Sequence, residues 1–239
     1  MNLKDIEYAI PPDTIHISQP RLIELESSQN LCNGRVLKTD YIAKVRAIAN
    51  KYKLRMHLDA ARGLNAAVAL NIDPALMVKD FDTVNFCLSK GMGCPIGSLI
   101  IGSSKDIEHA RVIRKMLGGQ MRQVGLLAAC GLVSLENWQE KLKEDNENAL
   151  WLATVLSRLP WINRIDTSIV ETNIFRFSLT EDFMKSKGID HNGFAQLLRE
   201  KHNILVNASF TNDAIRVVTH RDVSKPKIEE VIKAFKTIA

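Results

Sequence analysis

Three short stretches set reactive side chains where strands are expected to end. In His57-Leu58-Asp59-Ala60-Ala61-Arg62 the period of two puts His57 and Asp59 on one strand face, with Asp59 at the carboxyl end. In open α/β sheets ligands bind at that edge. A carboxylate followed at three residues by an arginine also reads as a helix cap with a salt bridge. Ser89-Lys90-Gly91-Met92-Gly93-Cys94-Pro95-Ile96-Gly97 places a lysine directly after an apolar strand, in a glycine-rich turn. Glycine lets backbone approach a ligand closely, and a partly desolvated lysine amine condenses with a carbonyl to a Schiff base. Taken alone, Lys90 also reads as a surface lysine. In Ala214-Ile215-Arg216-Val217-Val218-Thr219-His220 an arginine alternates with apolar residues. It is either the polar face of a half-exposed strand or a guanidinium fork for a carboxylate.

Lys90 and Asp59 gain meaning together. An enzyme using pyridoxal phosphate (PLP) needs a lysine to hold the aldehyde as an imine. It also needs a carboxylate to keep the pyridine nitrogen protonated, so that the ring can accept electrons.

The elements that must position these groups alternate. Strands are expected at Arg21–Glu26, Leu54–Asp59, Thr83–Leu88 and Ser98–Ile101. Between them, Asp40–Tyr52 carries Ile42, Val45, Ile48 and Ala49 at helical spacing, with Thr39 or Asp40 as its cap, and Arg62–Leu70 is a short alanine-rich helix. This rhythm predicts an α/β layer with a mostly parallel sheet. Ser104–Leu159 is almost wholly helical, broken at Gly118-Gly119 and around Asn137. Beyond Pro160 come strands near Ile174–Leu179, Ile204–Asn207 and Ile215–Thr219, and helices at His191–Lys201 and Lys225–Ile238, the last capped by Ser224 with Pro226 in its first turn. The expected division is 1–145 as a larger domain and 146–239 as a small α+β domain.

Composition bounds the function classes. The 239 residues are 46% hydrophobic and 25% charged, which excludes collagen-like, low-complexity and disordered chains. No apolar run approaches the roughly 18–20 residues of a membrane helix, and Met1–Glu7 is neither a signal nor a transit peptide; a cytoplasmic location is the expectation. The net charge of +5 is spread without basic blocks or aromatic interleaving, so no nucleic-acid partner is expected. Cys32, Cys87, Cys94 and Cys130 show no metal-ligand spacing; Cys87 and Cys94 read as small buried hydrophobes, and no disulfide and no metal are assigned.

Four motifs stand in order along the chain: His57-Leu58-Asp59-Ala60-Ala61-Arg62, Cys87-Leu88-Ser89-Lys90-Gly91-Met92-Gly93, Gly118-Gly119-Gln120-Met121-Arg122-Gln123, and Ile215 to Ser224. On these the sequence resembles the low-specificity L-threonine aldolases, within the β-eliminating lyase group of PLP enzymes with the aspartate-aminotransferase fold, from about Ile6 to Phe235. The resemblance implies a PLP-dependent carbon–carbon lyase that cleaves L-threonine or L-allo-threonine to glycine and acetaldehyde. It implies Lys90 as the imine lysine, Asp59 as the partner of the pyridine nitrogen, and Arg62 and Arg216 as holders of the substrate carboxylate, with Arg62 also positioning the cofactor. Arg122 would lie near the cofactor phosphate, reaching a neighbouring subunit's site, and His57 would be a packed supporting residue. A homo-oligomer, dimer or tetramer, is also implied.

The chain departs from that family in two ways. The resemblance starts part-way through the large domain: the Gly-Thr phosphate-binding turn and the ring-stacking histidine of the family do not occur before Ile6, so weakened PLP binding is expected. The alternative expectation is a truncated, catalytically impaired remnant that persists as a folded or oligomerising module. Second, Leu25-Glu26-Ser27-Ser28-Gln29-Asn30 stands where many relatives read Leu-Glu-Asn-Thr-His-Asn. Gln29 replaces a histidine near the substrate hydroxyl and cannot act as a base. Ala60 also replaces a usual glycine.

Overall fold

Apolar and polar residues alternate along the first three strands, and the sheet they build is polar on one face and apolar on the other. The computed structural model describes residues 1–163, 165–209 and 211–238. Contacts divide the chain into two compact units: Met1–Ser28 with Leu37–Glu136, and Gln29–Val36 with Asn137–Ala239.

The first unit runs α1 (Leu3–Tyr8), β1 (Leu22–Glu26), α2 (Thr39–Lys51), β2 (Arg55–Ala60), α3 (Gly63–Leu70), α4 (Pro74–Val78), β3 (Thr83–Cys87), β4 (Ser98–Gly102), α5 (Ser104–Met116) and α6 (Gly125–Ser134). The sheet order is β1-β2-β3-β4. The first three strands are parallel and β4 is antiparallel to β3. The chain between β3 and β4 is too short for a crossover helix, so it folds straight back. Leu25, Met56, Leu58, Ala60 and Val84 share the apolar face and are buried. The helices α2 and α3 pack on β2, and α2 buries Ile42, Val45, Ile48 and Ala49, the stripe expected from its spacing. Its cap differs from expectation. The cap is Lys38, without a side-chain bond, and Asp40 lies inside the first turn, where its charge complements the helix dipole.

The opposite face is polar in register. Glu24, His57 and Thr83 form one row, and Glu26, Asp59 and Asn85 the next. Toward the other edge the unit is open: every residue of β4 is exposed, α5 buries none, and Met116, Leu117, Leu126 and Leu132 are exposed.

The second unit runs α7 (Trp138–Leu156), a 3-10 turn at Thr167–Ile169, β5 (Ile174–Phe177), α8 (Glu181–Lys187), α9 (His191–His202), β6 (Asn207–Ala208), β7 (Ile215–Val218) and α10 (Lys225–Thr237). The expected boundary at 145/146 falls inside α7, all of which lies in this unit. The sheet β5-β7-β6 is antiparallel. Phe175, Phe177, Ile215 and Val217 join Trp161, Phe194 and Phe235 in one core, with the Trp161 and Phe183 rings stacked at 4.7 Å. The strand expected at Ile204–Asn207 is later and shorter, because Asn203 turns left-handed (φ 53°) and the Ile204 N–H closes α9 on Leu198 O at 3.1 Å. Three helices went unread in the sequence: α1, α4, whose Asp73 caps Ala75 N–H at 2.8 Å, and α8, capped by Thr180 and ended at Gly188.

The segment Gln29–Val36 belongs to the second unit through contacts far along the chain. Thr172 Oγ1 donates to Gly34 O at 2.7 Å, Val36 N–H donates to Glu171 at 2.8 Å, and Arg176 donates to Leu31 O at 3.2 Å.

Candidate active site

Asp59 is the outward-facing residue nearest the carboxyl end of β2, half-buried on the polar face. Its Oδ1 accepts from Ala61 N–H at 2.9 Å and from the Asn85 side-chain amide at 3.2 Å. It does not cap α3; that position is held by Arg62, half-buried, with no side-chain cap bond. Both of these donors reach the same carboxylate oxygen. Asn85 Oδ1 is buried without a hydrogen-bond partner, a cost accepted where a polar group faces a binding site. One row inward, His57 Nδ1 shares a hydrogen bond of 2.8 Å with Thr83 Oγ1, the packed supporting position expected of it.

Lys90 follows β3, the strand beside β2, and is exposed. Its turn is built from backbone. Leu88 N–H donates to Gly97 O at 2.9 Å, Cys94 N–H to Leu88 O at 3.0 Å and Gly93 N–H to Lys90 O at 2.8 Å. Ser134 on α6 donates to Met92 O and ties the turn to a helix. Cys94 is buried as expected, whereas Cys87 is part-buried with its sulfur 3.4 Å from Ser89 Oγ; it faces the polar side of the sheet, so it is not a core hydrophobe.

Asp59, Arg62 and Lys90 thus share the carboxyl edge of adjacent parallel strands. Arg122 is exposed in the loop between α5 and α6, and no hydrogen bond or ion pair among the described residues joins it to Asp59 or Lys90. Arg216 is carried by β7 of the second unit, half-buried. Its Nε is buried with no hydrogen-bond partner. Burial and then the neighbouring Arg176 both disfavour its charge and lower its pKa. Gln29 does not extend a side-chain carbonyl toward a ligand: Oε1 accepts from Cys32 N–H at 2.7 Å and closes its own loop. Asn85 and Thr83 went unread as site residues, although the period of two from a strand beginning at Thr83 puts both on the His57–Asp59 face.

The donor set suits the ring end of PLP. A carboxylate steadied by two N–H donors matches a protonated ring nitrogen, and an amine stands at the same sheet edge for the aldehyde.

Residues 1–179 match the family model described as Beta-eliminating lyase. The chain is 40% identical to the Arabidopsis thaliana protein named "Probable low-specificity L-threonine aldolase 2", an alignment covering 100% of this chain and 66% of that protein. It is 34% identical to the low specificity L-threonine aldolase of Escherichia coli (strain K12), covering 96% and 63% respectively. It therefore spans slightly under two thirds of the length of these curated relatives. Among solved structures, the threonine aldolase of Leishmania major matches with a TM-score of 0.73 at 16% identity, over 100% of this chain and 68% of that one; that likeness establishes the fold, the aspartate-aminotransferase type.

Proposed function

The chain belongs to the beta-eliminating lyase family, and from that premise we propose that its protein is a PLP-dependent threonine aldolase. It cleaves L-threonine and L-allo-threonine to glycine and acetaldehyde, in amino-acid catabolism that forms glycine. It does so in the cytoplasm as a homo-oligomer. The observation that carries the reading is the placement of Asp59, with its Asn85 support, at the same sheet edge as Lys90. PLP, when bound, supplies an electron sink for the bond-breaking step.

The chain's own residues have separable tasks. Asp59, kept aimed by Ala61 N–H and Asn85, would hold the cofactor's ring nitrogen. Lys90 is the residue that would hold the cofactor aldehyde through its amine. Arg62 holds the cofactor, Arg216 takes the α-carboxylate, and Arg122 reaches toward the cofactor phosphate of a neighbouring subunit. Orientation by such grips contributes because it removes the entropy cost of finding the reactive geometry. Gln29 carries no titratable group, so the proton of the substrate hydroxyl goes to a different acceptor. The first unit holds the cofactor, and the second carries the Arg216 strand. Exposed apolar side chains at Met116, Leu117, Leu126 and Leu132 support self-association. Retention of Lys90, Asp59 and Arg216 supports a lyase over an inactive folded remnant.

The test is a PLP titration of the chain followed by borohydride reduction and peptide mapping. A visible absorbance band with the label on Lys90 is expected, and acetaldehyde release from L-threonine and L-allo-threonine is then assayed. No band, or label scattered over surface lysines, overturns the reading.

A further inference from the structure

Arg176 and Arg216 face each other directly across β5 and β7. Thr219 N–H donates to Asn173 O, and Ser209 N–H to Ala214 O. Counting along the antiparallel ladder from these bonds makes Arg176–Arg216 a pair without mutual backbone bonds, the closer of the two spacings. Two like charges opposite one another at that spacing are destabilising. A strand pair keeps such a cost only where something offsets it. The two arginines are treated differently by their surroundings. Arg176 donates to Asp213 at 3.2 Å and to Leu31 O at 3.2 Å, and Asp213 is itself fixed by Ser209 and by Thr211 at 2.6 Å. Arg216 makes no ion pair among the described residues, and its buried Nε has no acceptor.

We propose that Arg176 is a positioning residue for the carboxylate site: it is anchored by Asp213 and Leu31 O, and its charge opposite Arg216 raises the positive potential that an arriving carboxylate relieves. Its second anchor, Leu31 O, ties the loop that carries Gln29 to the same strand pair. The substrate carboxylate and the Gln29 loop are therefore held by one framework within the second unit. This inference rests on the reading that Arg216 takes the α-carboxylate.

The experiment follows the Arg216 Nε–Hε resonance of the full chain by NMR while acetate, the simplest carboxylate, is titrated in. Arg176→Gln should weaken acetate binding about fivefold, the effect of removing one charge about 4 Å away at a water-like dielectric. Asp213→Asn removes the negative partner of Arg176 and should tighten binding about twofold. Arg176→Lys should stay within about twofold of wild type. A merely structural tie predicts that Arg176→Gln and Asp213→Asn both loosen the site, and that result overturns the proposal. Equal acetate affinity in Arg176→Gln and wild type overturns it too, while leaving Arg216 as a carboxylate ligand. An Arg216 resonance that ignores acetate in the wild-type chain overturns the carboxylate role of Arg216 and the proposal with it. Asp213 is largely exposed, so its variant keeps the test decisive even where Arg176→Gln does not fold.

Discussion

Asn85 stands opposite Asp59 on the neighbouring parallel strand and donates its side-chain amide to Asp59 Oδ1 over 3.2 Å. The carboxylate is aimed by this bond together with the Ala61 N–H. Asn85→Ala removes one of the two donors, and PLP should bind about tenfold more weakly, the size of one hydrogen bond to a charged group. Equilibrium titration of PLP absorbance measures it; an unchanged affinity would remove Asn85 from the site.

Leu58 lies between His57 and Asp59 and is fully buried on the opposite face of the same strand. Leu58→Ala should destabilise the chain by about 2–5 kcal/mol through lost transfer energy and a residual cavity. Chemical denaturation reads this directly, and PLP affinity should fall with it, since β2 then sits less firmly.

Gly34 is left-handed (φ +66°), and a Cβ there would lie 2.3 Å from Thr172 Oγ1 and 3.0 Å from Ile174 Cβ. Gly34→Ala therefore meets backbone strain and a clash together, at a cost of about 1–3 kcal/mol. Because the same residue's carbonyl accepts from Thr172, faster amide exchange confined to 29–36 is the expected signature. Uniform destabilisation without local exchange would contradict it.

Asp145 is buried on α7 with Oδ2 unpaired. Burial pushes its carboxyl up to about 7, against the pull of Arg221. The sign follows from linkage. Between about pH 4 and pH 7 the unfolded chain ionises this group while the folded chain keeps it protonated, so stability is fullest below 4 and declines as pH rises toward 7. Asp145→Asn should flatten that decline. Thermal midpoints across pH 4–8 test it, and a wild-type slope retained in the variant would reject it.

Local chemistry was legible at sequence level wherever a residue's meaning depends on near neighbours. The period of two placed His57 and Asp59 on one face, and the buried stripe of α2 followed from Ile42, Val45, Ile48 and Ala49. The shift of the expected Ile204–Asn207 strand shows the limit. Its apolar residues do read as a strand, but Asn203 turns left-handed to finish α9, and that closure claims Ile204. The helix cap at Lys38 was likewise missed, because cap geometry depends on the path of the incoming chain.

By itself the sequence determined the mostly parallel layer, the lysine turn and the family to which the chain belongs, since strand period, glycine punctuation and motif order are properties of short segments. Only the tertiary structure decided that Asn85 supports Asp59, that Arg176 faces Arg216, and that Gln29–Val36 is held by Glu171, Thr172 and Arg176. Each of these joins residues distant along the chain. Strand register and long-range hydrogen bonds select such partners, because they are paired only when the whole sheet has found its alignment.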